Sequence, residues 1–325
     1  MNVLVTGAEG FIGSHLAEML VANGENVTGL VLYNSFNSWG WLEGSEKLPR
    51  MTVVTGDIRD PHFCLDLLKN IEVVINLAAL IAIPYSYTAP DSYVDTNVKG
   101  TLNLCQAARQ NNVKKFVQTS TSEVYGTARY VPIDENHPLC GQSPYSASKI
   151  GADAMALSFY YAYELPVVIA RPFNAYGPRQ SGRAVIPTII SQLVSGKSKI
   201  ELGNLSATRD FTYVEDTCRG LIAVAGMEGG CGEVFNIGSN QEISIGALVE
   251  LVADVLGTEA SVKHDETRLR PVNSEVERLV CDNRKLAAKC GFQPAVPLRD
   301  GLRRTAAWFR DPSNLSKFKV DLYNL

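Results

Sequence analysis

Val3-Leu4-Val5-Thr6-Gly7-Ala8-Glu9-Gly10-Phe11-Ile12-Gly13 opens the chain with an apolar run, then three glycines spaced three apart, then an apolar stretch of helical character. A buried strand that turns through glycines into a helix lets backbone N–H groups close on a dinucleotide pyrophosphate at the helix N-terminus. Further apolar runs recur at 27–32, 52–55, 72–78, 114–119 and 166–171, with helix-like stretches between them. This alternation predicts an α/β fold, a Rossmann-type doubly wound parallel sheet. After Arg171-Pro172 the rhythm changes to helix-like 184–196, a strand pair near 199–213, helix-like 214–227, strand 233–237 and helix-like 244–256. The expected organisation is a dinucleotide-binding domain over 1–172, with later chain crossings back to it, and a smaller C-terminal α/β substrate lobe over 173–325.

Composition narrows the function. The net charge is −4 and no Lys/Arg-rich block occurs, which argues against a nucleic-acid partner. Seven cysteines, an odd number without a CxxC pair, and four histidines without ligand spacing predict free thiols in a reducing compartment and no metal site. The chain starts directly on a strand and has no apolar run near the ~18 residues a membrane span requires, so a soluble cytoplasmic protein is expected.

A second stretch supplies proton chemistry. Tyr145 and Lys149 stand four apart on a predicted helix and share one face. An exposed pair on an ordinary amphipathic helix is the plainer alternative. A neighbouring ammonium and a cationic nicotinamide would favour the phenolate, letting Tyr145 deprotonate a substrate hydroxyl as hydride leaves its carbon. Thr119-Ser120-Thr121-Ser122-Glu123-Val124-Tyr125-Gly126 follows the strand at 114–118, at the carboxyl edge where open α/β sheets bind ligands.

Together these runs resemble the extended short-chain dehydrogenase/reductases, whose fingerprint is Thr-Gly-x-x-Gly-Phe-Ile-Gly. The resemblance implies NAD as cofactor, held by Gly7, Gly10, Phe11, Ile12 and Gly13, with Asp57 and Ile58 at the adenine. Leu77, Ala78, Ala79, Tyr145, Lys149 and Pro172 would lie on the nicotinamide side. Members usually end their second strand on an acid that binds the adenine ribose; here Leu32-Tyr33-Asn34 stands instead, and the next basic residue is Lys47. NAD is favoured over NADP, with Asn34 or Ser35 as the replacement ribose partner.

Thr121-Ser122-Glu123 resembles the nucleotide-sugar 4,6-dehydratases, GDP-mannose types in particular, in which the glutamate removes the C5 proton once C4 is a ketone. Ser122 stands where glucose-type members carry the aspartate that protonates the departing C6 hydroxyl, and Glu123 could serve both roles. UDP-glucuronate decarboxylases share Thr-Ser-Glu, although they commonly show Tyr-x-x-Gly-Lys. The form found here, Tyr-Ser-Ala-Ser-Lys, is usual in dehydratases and 4-epimerases. Dehydration to a 4-keto-6-deoxy sugar with retained C5 configuration is therefore expected; decarboxylation, 4-epimerisation and a non-catalytic nucleotide-binding regulator stand as alternatives. Arg171-Pro172-Phe173-Asn174-Ala175-Tyr176-Gly177-Pro178-Arg179-Gln180 resembles the substrate segment of this family, with Asn174 at the diphosphate. Arg209 and Arg278 would neutralise its charge, and Arg270-Pro271 joins Arg278 in the last basic cluster. Residues 31–42 and 268–278 resemble 4,6-dehydratases of legionaminic acid pathways, which act on nucleotide-linked N-acetylglucosamine, here UDP- or GDP-linked. The aromatic loop 31–42 is expected to overlie the cofactor and exclude water. Family resemblance also suggests a homodimer formed through the helix near Asp95 and the helix of Tyr145.

Overall fold

The computed structural model describes residues 1–320 and residue 322. Seven parallel strands form the central sheet: β1 (Asn2–Thr6), β2 (Asn26–Leu32), β3 (Met51–Gly56), β4 (Val73–Asn76), β5 (Lys115–Thr119), β6 (Val167–Pro172) and β7 (Val234–Ile237). Their order is β7-β6-β5-β4-β1-β2-β3. Strand order reverses between β1 and β4, so a crevice opens beyond the carboxyl ends of those two strands.

The inner strands are apolar on both faces because both are covered. Val3 and Val5 of β1 join one core with Val73 and Ile75 of β4, while Leu4 and Val74 point into the other. The first core is closed by helices Phe11–Ala22, Val185–Val194, Val214–Gly226 and Ile245–Leu256, the second by Pro61–Leu67, Gly100–Gln110 and Pro144–Tyr163. β3, at the sheet edge, keeps two exposed positions instead of an unbroken apolar run.

The predicted strand 72–78 stops at Asn76. The Thr6 hydroxyl accepts from the N–H groups of Leu77 and Ala78, both at 3.0 Å, and so pulls the chain out of the sheet. The same hydroxyl donates to Asn76 Oδ1 at 2.7 Å, and Asn76 Nδ2 donates to Gln118 Oε1 at 2.8 Å. This buried ladder ties the ends of β1, β4 and β5 into one rim.

The predicted strand pair near 199–213 is not a pair. Lys199–Leu202 pairs with Ser261–His264, and Phe211–Tyr213 pairs with Asn174–Tyr176. Thr208–Arg209 takes a third partner, Ile243–Ser244. These small sheets lie in the C-terminal half, from which Val234–Ile237 returns to pair with β6. Among the described residues, no helix is long and apolar enough to cross a membrane, and no three His, Cys, Asp or Glu side chains gather as a metal site.

Candidate active site

A cavity of about 810 Å³ runs along the sheet rim, from the glycine loop to the small C-terminal strands. Its first wall is the turn from β1 into helix Phe11–Ala22. Gly7 has φ +68°, and a Cβ there would lie 3.1 Å from the Ala78 backbone; at Gly13 it would lie 2.1 Å from the Gly7 carbonyl oxygen. Gly10 caps the helix with no side-chain bond, which leaves the first-turn amides facing the cavity. A dinucleotide pyrophosphate fits this cradle. Ile58 and Asp57 line the far end, where Asp57 accepts from the Arg59 side chain, which holds its carboxyl below the usual range. Leu77, Ala78, Ala79 and Pro172 line the same cavity, with Ala78 directly beside Gly7.

The second wall carries Tyr145 and Lys149. Ser143 and Ser146 form a reciprocal capping box, and Pro144 occupies the first helical turn, so helix Pro144–Tyr163 starts abruptly and presents Tyr145 at the cavity. Tyr145 and Lys149 are 7% and 5% exposed, which removes the exposed-pair alternative. Lys149 Nζ donates to the Thr119 carbonyl at 2.7 Å. Burial pushes the Lys149 ammonium down to about 8, with Asp153 one turn away opposing. Burial likewise pushes the Tyr145 phenol up, opposed by a hydrogen bond with Thr121.

Glu123 sits in the single turn Ser122–Tyr125 that follows β5, with Thr121 capping the turn through Glu123 N at 3.2 Å. Its carboxylate is buried and accepts from Arg270 Nη1 at 3.4 Å. Arg209 is buried nearby, bonded to the Thr208 carbonyl at 2.9 Å and to Glu275 at 3.5 Å. Ser122 and Asn174 line the same cavity, and Asn174 Oδ1 is buried with no hydrogen-bond partner.

Two expected residues are elsewhere. Asn34 is spent inside its own loop: Nδ2 donates to the Leu32 and Ser38 carbonyls, and Oδ1 accepts from the N–H groups of Phe36 and Ser38. Arg278 is on the surface, its guanidinium paired with Glu242 at 2.7 and 2.8 Å. Arg268 and Arg270 take the cavity position instead. Loop 31–42 does not roof the site: Leu32 lines the cavity, but Tyr33 and Phe36 are exposed and Trp41 packs edge-on against Trp308 at 5.5 Å.

A residue that positions the site also escapes sequence reading. Asn97 lies in a turn of π-helix, Val94–Lys99, and bonds the Leu80 N–H at 2.9 Å, the Leu80 carbonyl at 3.0 Å and Ser148 Oγ at 2.9 Å. It locks the loop after β4 to the helix of Tyr145, and π-turns cluster at such functional positions. No local pattern announces a widened turn.

Comparison with known proteins agrees with this geometry. The family model for GDP-mannose 4,6-dehydratase matches residues 4–305. A dTDP-glucose 4,6-dehydratase from Actinoplanes is 34% identical over 317 residues, covering 95% of this chain and 98% of the relative. A dTDP-glucose 4,6-dehydratase from Streptomyces venezuelae, solved with NAD bound, superposes with a TM-score of 0.86 at 32% identity, covering 98% and 99% of the two chains. A Bacillus cereus UDP-glucuronic acid 4-epimerase, solved with UDP-glucuronic acid and NAD, gives 0.86 at 30% identity, covering 95% and 99%. With a glycine cradle, a Tyr145/Lys149 pair and Glu123 on one rim, the chain belongs to the GDP-mannose 4,6-dehydratase family, within the extended short-chain dehydrogenase/reductases.

Proposed function

We propose that the protein is an NAD-dependent nucleotide-sugar 4,6-dehydratase whose substrate is UDP- or GDP-N-acetylglucosamine and whose product is the 4-keto-6-deoxy sugar. The observation that carries this reading is the buried Glu123 carboxylate on the same wall as Thr121 and Tyr145, since neither plain oxidation nor 4-epimerisation needs a third proton-transfer group. The N-acetylglucosamine assignment rests on the resemblance of residues 31–42 and 268–278.

Bound NAD supplies the hydride acceptor for C4 and later the donor for C6. Tyr145 Oη receives the O4 proton; Thr121 orients that oxygen, and the Lys149 ammonium favours the phenolate. Glu123 takes the C5 proton, which the adjacent C4 ketone has made acidic, and C6 then loses its hydroxyl as water. With Ser122 in place of an aspartate, Glu123 is also the proton source for that hydroxyl. Having given that proton to the departing water, Glu123 takes a new one from solvent and delivers it to C5 on the face it had stripped, which keeps the original C5 configuration. Asn174 and Arg209 bind the diphosphate.

The test is to incubate the purified protein, without added cofactor, with UDP- and GDP-N-acetylglucosamine and with UDP-glucuronate, and to read product masses. Loss of one water from an acetylglucosamine nucleotide is expected. Loss of carbon dioxide from the glucuronate would make the protein a decarboxylase, and isomerisation at unchanged mass would make it an epimerase. A C5-inverted keto sugar as first product would exclude the single-carboxylate route.

Family resemblance further supports a homodimer formed through the helical segment near Asp95, Val94–Lys99 continuing into Gly100–Gln110, and the helix Pro144–Tyr163. Their neighbourhood exposes Val94, Tyr161 and Tyr163, large side chains that a partner copy would cover. Gel filtration should give twice the chain mass of 35.4 kDa; elution at the single-chain mass would reject the dimer.

A further inference from the structure

β2 ends at Leu32 with no acid, and Asn34 is consumed by its own loop, so neither supplies the acceptor that the adenine ribose of a dinucleotide requires at this strand end. A carboxylate nevertheless stands there, delivered from the glycine loop. Glu9 Oε1 accepts from the Leu32 N–H at 2.9 Å, which fixes the side chain at the tip of β2. Its other oxygen, Oε2, is buried and has no hydrogen-bond partner, although Glu9 and Leu32 both line the cofactor cavity. The loop after β2 is laid over the same residue: Trp41 N donates to the Glu9 carbonyl at 3.1 Å. Gly40, at φ +56°, lies so close that a Cβ would meet that carbonyl oxygen at 2.7 Å.

We propose that Glu9 binds the adenine-ribose diol and thereby selects NAD over its 2′-phosphorylated form. A buried carboxylate oxygen without a donor is costly, and a vicinal diol brings two O–H donors. A 2′-phosphate would bring negative charge against the same oxygen. Arg59, a cation that lines the same cavity, is engaged by Asp57 and does not offset that repulsion. The inference rests on the NAD-dependent reading above and adds the residue that sets cofactor choice.

The test measures binding to cofactor-stripped protein by calorimetry with NAD, NADP and 2′-deoxy-NAD. Wild-type protein should bind NAD about 100-fold tighter than NADP and about tenfold tighter than 2′-deoxy-NAD. Glu9→Gln keeps an oxygen for the Leu32 N–H, so its fold should persist. It should weaken NAD about tenfold and bind NAD and 2′-deoxy-NAD nearly alike. The ligand comparison on wild-type protein stands even if the variant does not fold. Equal wild-type affinity for NAD and 2′-deoxy-NAD, or a folded Glu9→Gln that keeps the wild-type preference, would overturn the assignment and leave the dehydratase reading intact. Failure to bind any of the three would overturn both.

Discussion

Glu123→Gln should lower formation of the dehydrated product by about 10³-fold while leaving oxidation at C4 intact. The amide keeps an oxygen toward Arg270, 3.4 Å from the native carboxylate, so the wall should hold its shape. It cannot accept the C5 proton. On the proposed route, oxidation at C4 uses Tyr145, Thr121 and Lys149, which the substitution does not touch. The reaction should therefore stall at the ketone. Quenching the mixture with borodeuteride should place deuterium on C4 of a nucleotide sugar that has not lost water. Dehydration at close to the wild-type rate would remove Glu123 from the mechanism and assign the C5 proton to another group.

Lys149→Met should cost about 10³-fold in activity and yet make the cofactor-free protein more stable at pH 7. The ammonium is fully enclosed, and its drop from 10.5 to about 8 corresponds to about 3 kcal/mol of folding free energy lost wherever the folded chain carries that charge. The sign follows from proton binding. Between about 8 and 10.5 the unfolded chain holds the proton that the folded chain has released, so wild-type stability gains from this group as pH rises through that window. Below about 8 the full penalty is present. Methionine removes it, while loss of the bond to the Thr119 carbonyl offsets about 1–2 kcal/mol. Urea unfolding at pH 7 and pH 10 should show a stability advantage for the variant at the lower pH that shrinks at the higher. A variant less stable by the same margin at both pH values would show that Lys149 is not held charged against burial.

The central sheet was legible because its strands are buried on both faces, and runs such as Val73-Val74-Ile75 have no other economical explanation in an alternating chain. Tyr145 and Lys149 were legible through helical spacing, and Gly7, Gly10 and Gly13 through their spacing after an apolar strand, for which the contacts a side chain would make there give the reason. Residues of the irregular C-terminal segments were not. Arg270 and Arg278 lie in one short stretch without periodicity, and only the fold shows that Glu242 holds the second on the surface. Asn34 occupied the expected position along the strand, but an Asn side chain readily closes a local turn, and this one does. The small strands were recognised while their partners were not, because two- and four-residue strands carry no register information of their own.

The return of Val234–Ile237 to the edge of β6 constrains how this enzyme can be recombined. A chimera that joins residues 1–172 to the sugar-binding half of a relative inherits the relative's terminal strand as well, and that strand must match the exposed edge of Val167–Pro172 in length and in the spacing of its amides. Exchange of substrate preference between relatives therefore has its natural breakpoints on either side of Val234–Ile237, whereas cutting only at residue 172 would set a foreign strand against the β6 edge.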